Sequence, residues 1–374
     1  MPLNPQTHLT DGRPRGRGLG LPFAGDPGPV NALTDVPGLE VGFTTLVSGE
    51  GPLVVGRGPV RTGVTVILPR GRNGGRTPVW AGSFALNGNG EMTGVHWIEE
   101  SGQFEGPIAI TNSHSVGTVH RALVGWLKRG PTGDLAAAPW VLPVVAETCD
   151  DYLNDLDGQH VTEAHVLAAI DGACGGPLAE GNVGGGTGMV CYEFKGGTGT
   201  ASRIVCAGRS RYLVGALVQA NHGVRPWLTI RGVPVGEHIV DGRLWPTEHG
   251  SVIGVVATDA PLLPTQLRRL ARRASLGVGR TGTPAGNGSG DLFLAFSTAN
   301  PEDGPGVGGL NCLRYLPHGQ LDPLFEAVVD AVEEAVINAL VAARTMTGRD
   351  DHTVLALDHH GLRDLMRRFG RLDA

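Results

Sequence analysis

Apolar runs separated by glycine, proline and polar punctuation dominate this chain, and their lengths alternate between those of strands and those of helices. Residues 64–69, 79–85, 107–111 and 141–147 are short apolar runs bounded by turn residues, which predicts strands. Apolar positions at helical spacing occupy 118–128 and 162–170. Further along, 251–259 reads as a strand, 265–276 as a helix and 291–297 as a strand. Asp322 as a cap and Pro323 at the first helical position open a long helix, whose apolar Phe325, Val328, Val329, Val332, Val336 and Leu340 form a stripe broad enough to bury against a sheet. A last helix is expected at 360–369. The Gly/Pro/Arg-rich residues 1–30 predict an extended N-terminal arm, leaving 31–374 as a single domain. Helices packed on predominantly β layers give an α+β fold, a layered αββα sandwich.

Composition narrows this picture without changing it. With 374 residues, 41% of them hydrophobic, the chain can bury a sizeable core. Its 60 glycines show no Gly-X-Y period, so collagen is excluded and many tight turns are expected. A formal charge of −6 argues against a nucleic-acid partner, and the arginines of 268–273 fall within a helical pattern as a solvated face or subunit contact. Five cysteines (149, 174, 191, 206 and 312) contain no CxxC and leave one over, suggesting neither a zinc site nor a disulfide framework. Arg13, Arg15 and Arg17 are followed by Gly/Pro-rich sequence instead of an apolar leader, and no run approaches 18 apolar residues. A soluble, cytoplasmic protein without a membrane partner is expected.

Several motifs invite chemistry and are weak on inspection. The glycines of 184–188 lack the lysine of a phosphate loop and the GxGxxG spacing, so a turn or a cleft-lining loop is expected there. His160 and His165 are five apart, not four as in HExxH, and no GxSxG elbow surrounds Ser251 or Ser289. The pair Gly250-Ser251, at the mouth of the apolar run 251–259, is different. Gly250 lacks the Cβ that would crowd attack on its carbonyl. If the bond were cut, Ser251 would carry a hydroxyl and an α-amine on one residue, with the amine's pKa at about 7.7 to 8 suiting it as a base. Gly-Ser pairs are common, and on its own this one also reads as a turn entering a strand.

The surroundings favour the first reading. Gly250-Ser251-Val252-Ile253 through Ala257-Thr258-Asp259-Ala260-Pro261, the opening Asn31-Ala32-Leu33-Thr34-Asp35, and Asn87-Gly88-Asn89-Gly90 stand in an order with Thr111-Asn112-Ser113, Glu180-Gly181-Asn182, Gln219-Ala220-Asn221 and Asn287-Gly288-Ser289-Gly290-Asp291. Jointly these segments resemble the DmpA-type L-aminopeptidase/D-esterase family, which includes the β-peptidyl aminopeptidases. That resemblance implies an αββα sandwich akin to N-terminal nucleophile hydrolases, self-cleaved into an α chain of residues 1–250 and a β chain of 251–374. It implies Ser251 as nucleophile, Ser289 and Asp291 as its supports, and Asn221 as a donor to the oxyanion. It also implies that Glu147 grips the free amino group of a small peptide, amide or ester. The family places an aromatic hydroxyl in the Ala-Glu-Thr segment, where this chain reads Ala146-Glu147-Thr148-Cys149-Asp150-Asp151-Tyr152; either Tyr152 supplies it or Cys149 has replaced it. The resemblance requires no metal or organic cofactor, and it implies a homo-oligomer, commonly a tetramer of αβ pairs. Two other activities fit less well: an acyltransferase resembling ornithine acetyltransferase, which uses a threonine nucleophile, and an uncleaved, noncatalytic binding scaffold.

Overall fold

The computed structural model describes residues 3–129, 140–300 and 312–372. Its strands are β1 (Glu40–Ser48), β2 (Val60–Leu68), β3 (Val79–Ala85), β4 (Gln103–Phe104), β5 (Ile108–Asn112), β6 (Val144–Thr148), β7 (Val190–Cys191), β8 (Phe194–Lys195), β9 (Gly197–Ala207), β10 (Ser210–Asn221), β11 (Gly250–Thr258), β12 (Ser289–Ser297), β13 (Met346–Thr347) and β14 (Thr353–Val354). Its helices are α1 (Val95–Ser101), α2 (Val116–Arg129), α3 (Glu163–Asp171), α4 (Val235–His238), α5 (Pro264–Gly279), α6 (Asp322–Ala342) and α7 (His359–Arg368). One sheet has four strands in the order β1-β2-β5-β6, the other six in the order β4-β3-β12-β11-β10-β9.

Period-two alternation explains why the central strands read as continuous apolar runs. In β11 and β12, Ile253, Val255, Ala257, Leu292, Leu294 and Phe296 face the four-stranded sheet, meeting Val41, Ile67, Ile108, Ile110, Val144 and Ala146. The intervening Val252, Val256, Phe293 and Ala295 face outward, into a core shared with α5 and α6. Strands buried on both faces carry no polar alternation. On the far side α2 and α3 cover the smaller sheet through Val119, Leu123, Val166 and Ile170. The layers are therefore helix, sheet, sheet, helix, as expected.

Observed strands and helices overlap every expected element, with ends shifted by a few residues, and Asp322 is the first helical residue instead of the cap. Three long strands were not expected: β1, β9 and β10. The N-terminal residues are tied to the rest of the molecule. Residues 3–30 have little regular structure and pack against the body through buried contacts. The Arg15 guanidinium is buried against Glu180 at 2.8 Å, and Arg17 pairs with Glu334 of α6 at 2.9 Å. Buried ion pairs of this kind tolerate their desolvation because further hydrogen bonds complete them, here to the carbonyls of Asn31 and Thr200. The arginine run of α5 lies on a solvated face, with Arg268 and Arg272 exposed; Arg273 and Arg269 lie 3.4 and 4.9 Å from the Phe325 ring, and Arg272 lies over Phe84.

Candidate active site

β11 sits between β10 and β12, and this position assembles the site. Antiparallel pairing sets Ser251 opposite Asn221, the last residue of β10, while parallel pairing sets Gly250 beside Ser289 and Ser251 beside Gly290. The three strand ends that carry the expected residues thus meet at one edge. Gly250 has φ +139°, and a Cβ there would lie 1.7 Å from the Asn221 carbonyl oxygen, so only glycine can bring the chain into Ser251 by this path.

Each polar group in this corner has a defined partner. The Gly290 N–H donates to Ser251 Oγ at 3.1 Å, leaving the hydroxyl proton without an acceptor among the described residues. Ser289 Oγ donates to Asp291 Oδ1 at 2.7 Å, and the Val252 N–H, next along from Ser251, donates to the same oxygen at 3.2 Å. Asn87 secures the carboxylate from the opposite side, accepting from the Asp291 N–H at 2.6 Å and donating to Oδ2 at 3.3 Å. Burial pushes the Asp291 carboxyl above the ordinary aspartate range, against the downward pull of Ser289. Asn221 accepts from the Val190 N–H at 2.8 Å and donates one N–H to the Cys149 carbonyl at 2.9 Å; the other amide hydrogen has no partner among the described residues.

Ser251 opens into a cleft of about 510 Å³. Its lining includes the acidic Glu147, Asp150, Asp151 and Glu248 and the aromatic Tyr152, Trp245 and His249, with no lysine or arginine among the described residues that line it. Glu147 is held in place by the Glu91 N–H at 2.9 Å and by the Ser113 hydroxyl, which donates to its other oxygen. Burial pushes the Asp150 carboxyl up to about 7, against the pull of polar Thr62, Asn154 and Asn112. An acidic wall of this kind suits a cationic ligand group. Burial and the nearby Asp151 push the Cys149 thiol up to about 12, so it is a neutral thiol at physiological pH and not a thiolate nucleophile. The Tyr152 ring stacks on His352 at 4.5 Å and meets Trp245 edge-on at 5.1 Å.

Comparison with known proteins gives the family and the fold. The model of peptidase family S58 matches residues 31–354. The chain belongs to this family. It is 52% identical to the beta-peptidyl aminopeptidase BapA of Sphingosinicella microcystinivorans over 96% of this chain and 94% of that protein. The L-aminopeptidase D-Ala-esterase/amidase of Ochrobactrum anthropi, described as a prototype for the serine aminopeptidases and a variant of the Ntn hydrolase fold, superposes with a TM-score of 0.90. It is 51% identical, over 96% of this chain and 100% of that one. A beta-aminopeptidase from Burkholderia sp. gives a TM-score of 0.86 at 46% identity, covering 95% and 99% respectively. This S58 member is accordingly a hydrolase with the Ntn-like αββα fold.

The cleft gathers Glu147, Tyr152, Asn221, Gly250 and Ser251, and Ser289 with Asp291 lie immediately behind it. Cys149 and Tyr152 both line the cleft, so both candidates for the family's hydroxyl position reach it. The glycines of 184–188 are no phosphate cradle: the Gly184 and Gly185 N–H groups already donate to Thr45 and Thr65, and Gly188 lines the cleft. His160 is bound to Asp155 and His165 to its own helix cap, Thr162. Sequence reasoning assigned no role to Asn87, Ser113, Trp245 or Glu248. Asn87 and Ser113 stand in segments that carry the family resemblance, which was the available signal; Trp245 and Glu248 stand in none.

Proposed function

We propose that this chain is a self-processing serine aminopeptidase that releases N-terminal residues from short peptides, amides or esters through an acyl-enzyme on Ser251. The observation that carries the reading is the placement of the Gly250-Ser251 bond in the same acidic cleft as Glu147 and the uncommitted amide hydrogen of Asn221. In the processing step Ser251 Oγ bonds to the Gly250 carbonyl carbon, the carbon–nitrogen bond breaks, and the hydroxyl proton passes to the departing nitrogen. Water then hydrolyses the ester, giving a Gly250 carboxylate and a Ser251 with free hydroxyl and amine. The fragments 1–250 and 251–374 would stay in one domain, because β11 and β12 of the second are flanked by β10 and β3 of the first.

In turnover the freed α-amine takes the Ser251 proton as Oγ attacks the substrate carbonyl. Ser289 and Asp291, fixed by Asn87 and the Val252 N–H, hold that amine in place. Asn221 donates its second amide hydrogen to the oxyanion, with Tyr152 or Cys149 on the adjoining wall as the further donor. Glu147 binds the substrate ammonium by a charge-assisted hydrogen bond, which restricts the enzyme to substrates with a free amino group. Turnover of an aminoacyl p-nitroanilide and of its N-acetylated counterpart tests this. The free amine should be hydrolysed and the acetylated compound left intact; equal hydrolysis of both would remove the aminopeptidase reading.

A further inference from the structure

The segment leading into the scissile bond has no ladder of its own, yet it is anchored at three points. Arg225 donates to the carbonyls of Ile239 and Asp241 at 2.9 and 2.7 Å. Glu193 accepts from the Leu244 and Trp245 N–H groups. Glu248, two residues before Gly250, then accepts from the Gly223 N–H at 2.8 Å and the Gly286 N–H at 2.6 Å, with Thr283 Oγ1 at 3.3 Å. Those two backbone donors belong to different loops. Gly223 lies just beyond Asn221, and Gly286 lies just before Ser289.

We propose that Glu248 is a positioning residue for self-cleavage, a carboxylate clamp that ties the incoming chain to both loops framing Ser251 and so aims the Gly250 carbonyl at Ser251 Oγ. The inference rests on the self-processing reading given above. Pairing within β11 holds Ser251 from both sides and Gly250 from one, beside Ser289, and leaves the other side of Gly250 and the path of residues 246–249 to whatever holds that segment. Attack by a side chain on the carbonyl of the residue just before it is demanding of orientation, and a misplacement of about 1 Å can cost about 100-fold. The clamp also stands where a carboxylate is otherwise unwelcome, since the Glu248 charge acts on Asp291 and helps to raise its carboxyl. Two backbone N–H donors offset that repulsion. Room for the clamp depends on Gly286, where a Cβ would lie 2.1 Å from a Glu248 carboxylate oxygen.

The test follows cleavage of the freshly synthesised full chain with time, by denaturing gel, in wild type, Glu248→Gln and Gly286→Ala. A glutamine amide has one acceptor oxygen for the two N–H donors, and the methyl group added by Gly286→Ala displaces the carboxylate from outside. Cleavage should slow at least ten-fold in both, whereas turnover per cleaved molecule after long incubation should fall less than three-fold for Glu248→Gln. In an uncleavable Ser251→Ala background, Glu248→Gln should melt within a few degrees of its parent. Wild-type cleavage rates in both variants would overturn the proposal. So would a loss of turnover matching the loss of cleavage, which is the mark of a merely structural role. If Glu248→Gln fails to fold, Gly286→Ala alone decides by its cleavage rate. A wild-type chain that stays whole would overturn the self-processing reading as well, so the two failures are distinguishable.

Discussion

The parallel pair β11 and β12 carries buried hydroxyls at both ends, and the two ends behave differently. At the far end Thr258 stands beside Ser297; Thr258 Oγ1 donates to the Leu213 carbonyl at 2.7 Å and Ser297 Oγ to the Ala260 carbonyl at 2.6 Å. Each hydroxyl also accepts from a backbone N–H, of Ala260 and Ala299 respectively, so donor and acceptor capacity are both used inside the fold. At the near end Ser251 accepts from Gly290 while its proton finds no acceptor among the described residues, and Ser289 donates to a carboxylate instead of a carbonyl. Residue type does not separate the two ends. An uncommitted proton, a carboxylate behind it and a cleft in front do.

That contrast sets the order of the expected effects. Ser251→Ala should leave the chain whole and lower turnover by about 10⁴-fold or more, since the nucleophile and its amine are lost together; this is checked by gel and by turnover of a free-amine p-nitroanilide. Asp291→Asn keeps the shape but removes the charge, and should reduce kcat by about 100-fold. Its pH profile carries a second signature. Burial raises the Asp291 carboxyl, so its ionised form is lost as pH falls through a value above the ordinary 3.8, and the wild-type kcat profile should show a lower acidic limb there, beneath the one that protonation of the Ser251 α-amine base sets at higher pH. Asp291→Asn should abolish that limb, and a limb that persists unchanged would assign it to another group.

Glu147→Gln should raise KM for free-amine substrates about 10- to 50-fold with a smaller change in kcat, matching the loss of a charged hydrogen bond of about 1.5 to 2.3 kcal/mol. At the other end of the strands, Ser297→Ala should change turnover less than two-fold. It should lower stability by about 1 to 2 kcal/mol in denaturant unfolding, because it leaves the Ala260 carbonyl and the Ala299 N–H without their partner. A Ser297→Ala variant with impaired turnover at full stability would dissolve the distinction between the ends.

Much of this was legible in the sequence, for physical reasons that differ along the chain. Strands β11 and β12 and helix α6 are long apolar stretches bounded by strong punctuation, so their type is fixed locally. Strands β9 and β10 were not anticipated: β9 begins within the glycine-rich 181–199 stretch, and Gly197 and Gly199 weaken any strand signal. They pair with each other across the short turn at residues 208–209, and what completes their burial lies farther along the chain, β11 beside β10 and α6 against both. The docking of residues 3–30 was hidden for the same reason, since Arg15 reads as a solvated charge until Glu180 is brought to it. At the candidate site, motifs pointed to Ser251, Ser289, Asp291, Asn221 and Glu147, which the fold brings together. Asn87, Ser113 and Glu248 act by holding other groups, and no local spacing reveals a partner 204 residues away, as between Asn87 and Asp291.

Under the proposed function, rupture of the Gly250-Ser251 bond makes the enzyme. The most direct measurement is intact mass and N-terminal sequencing of every band from purified full-length protein on a denaturing gel. Two fragments, the smaller beginning at Ser251-Val252-Ile253, with Ser251→Ala remaining whole, are the expected result. A wild-type chain that stays in one piece while hydrolysing free-amine substrates would contradict it.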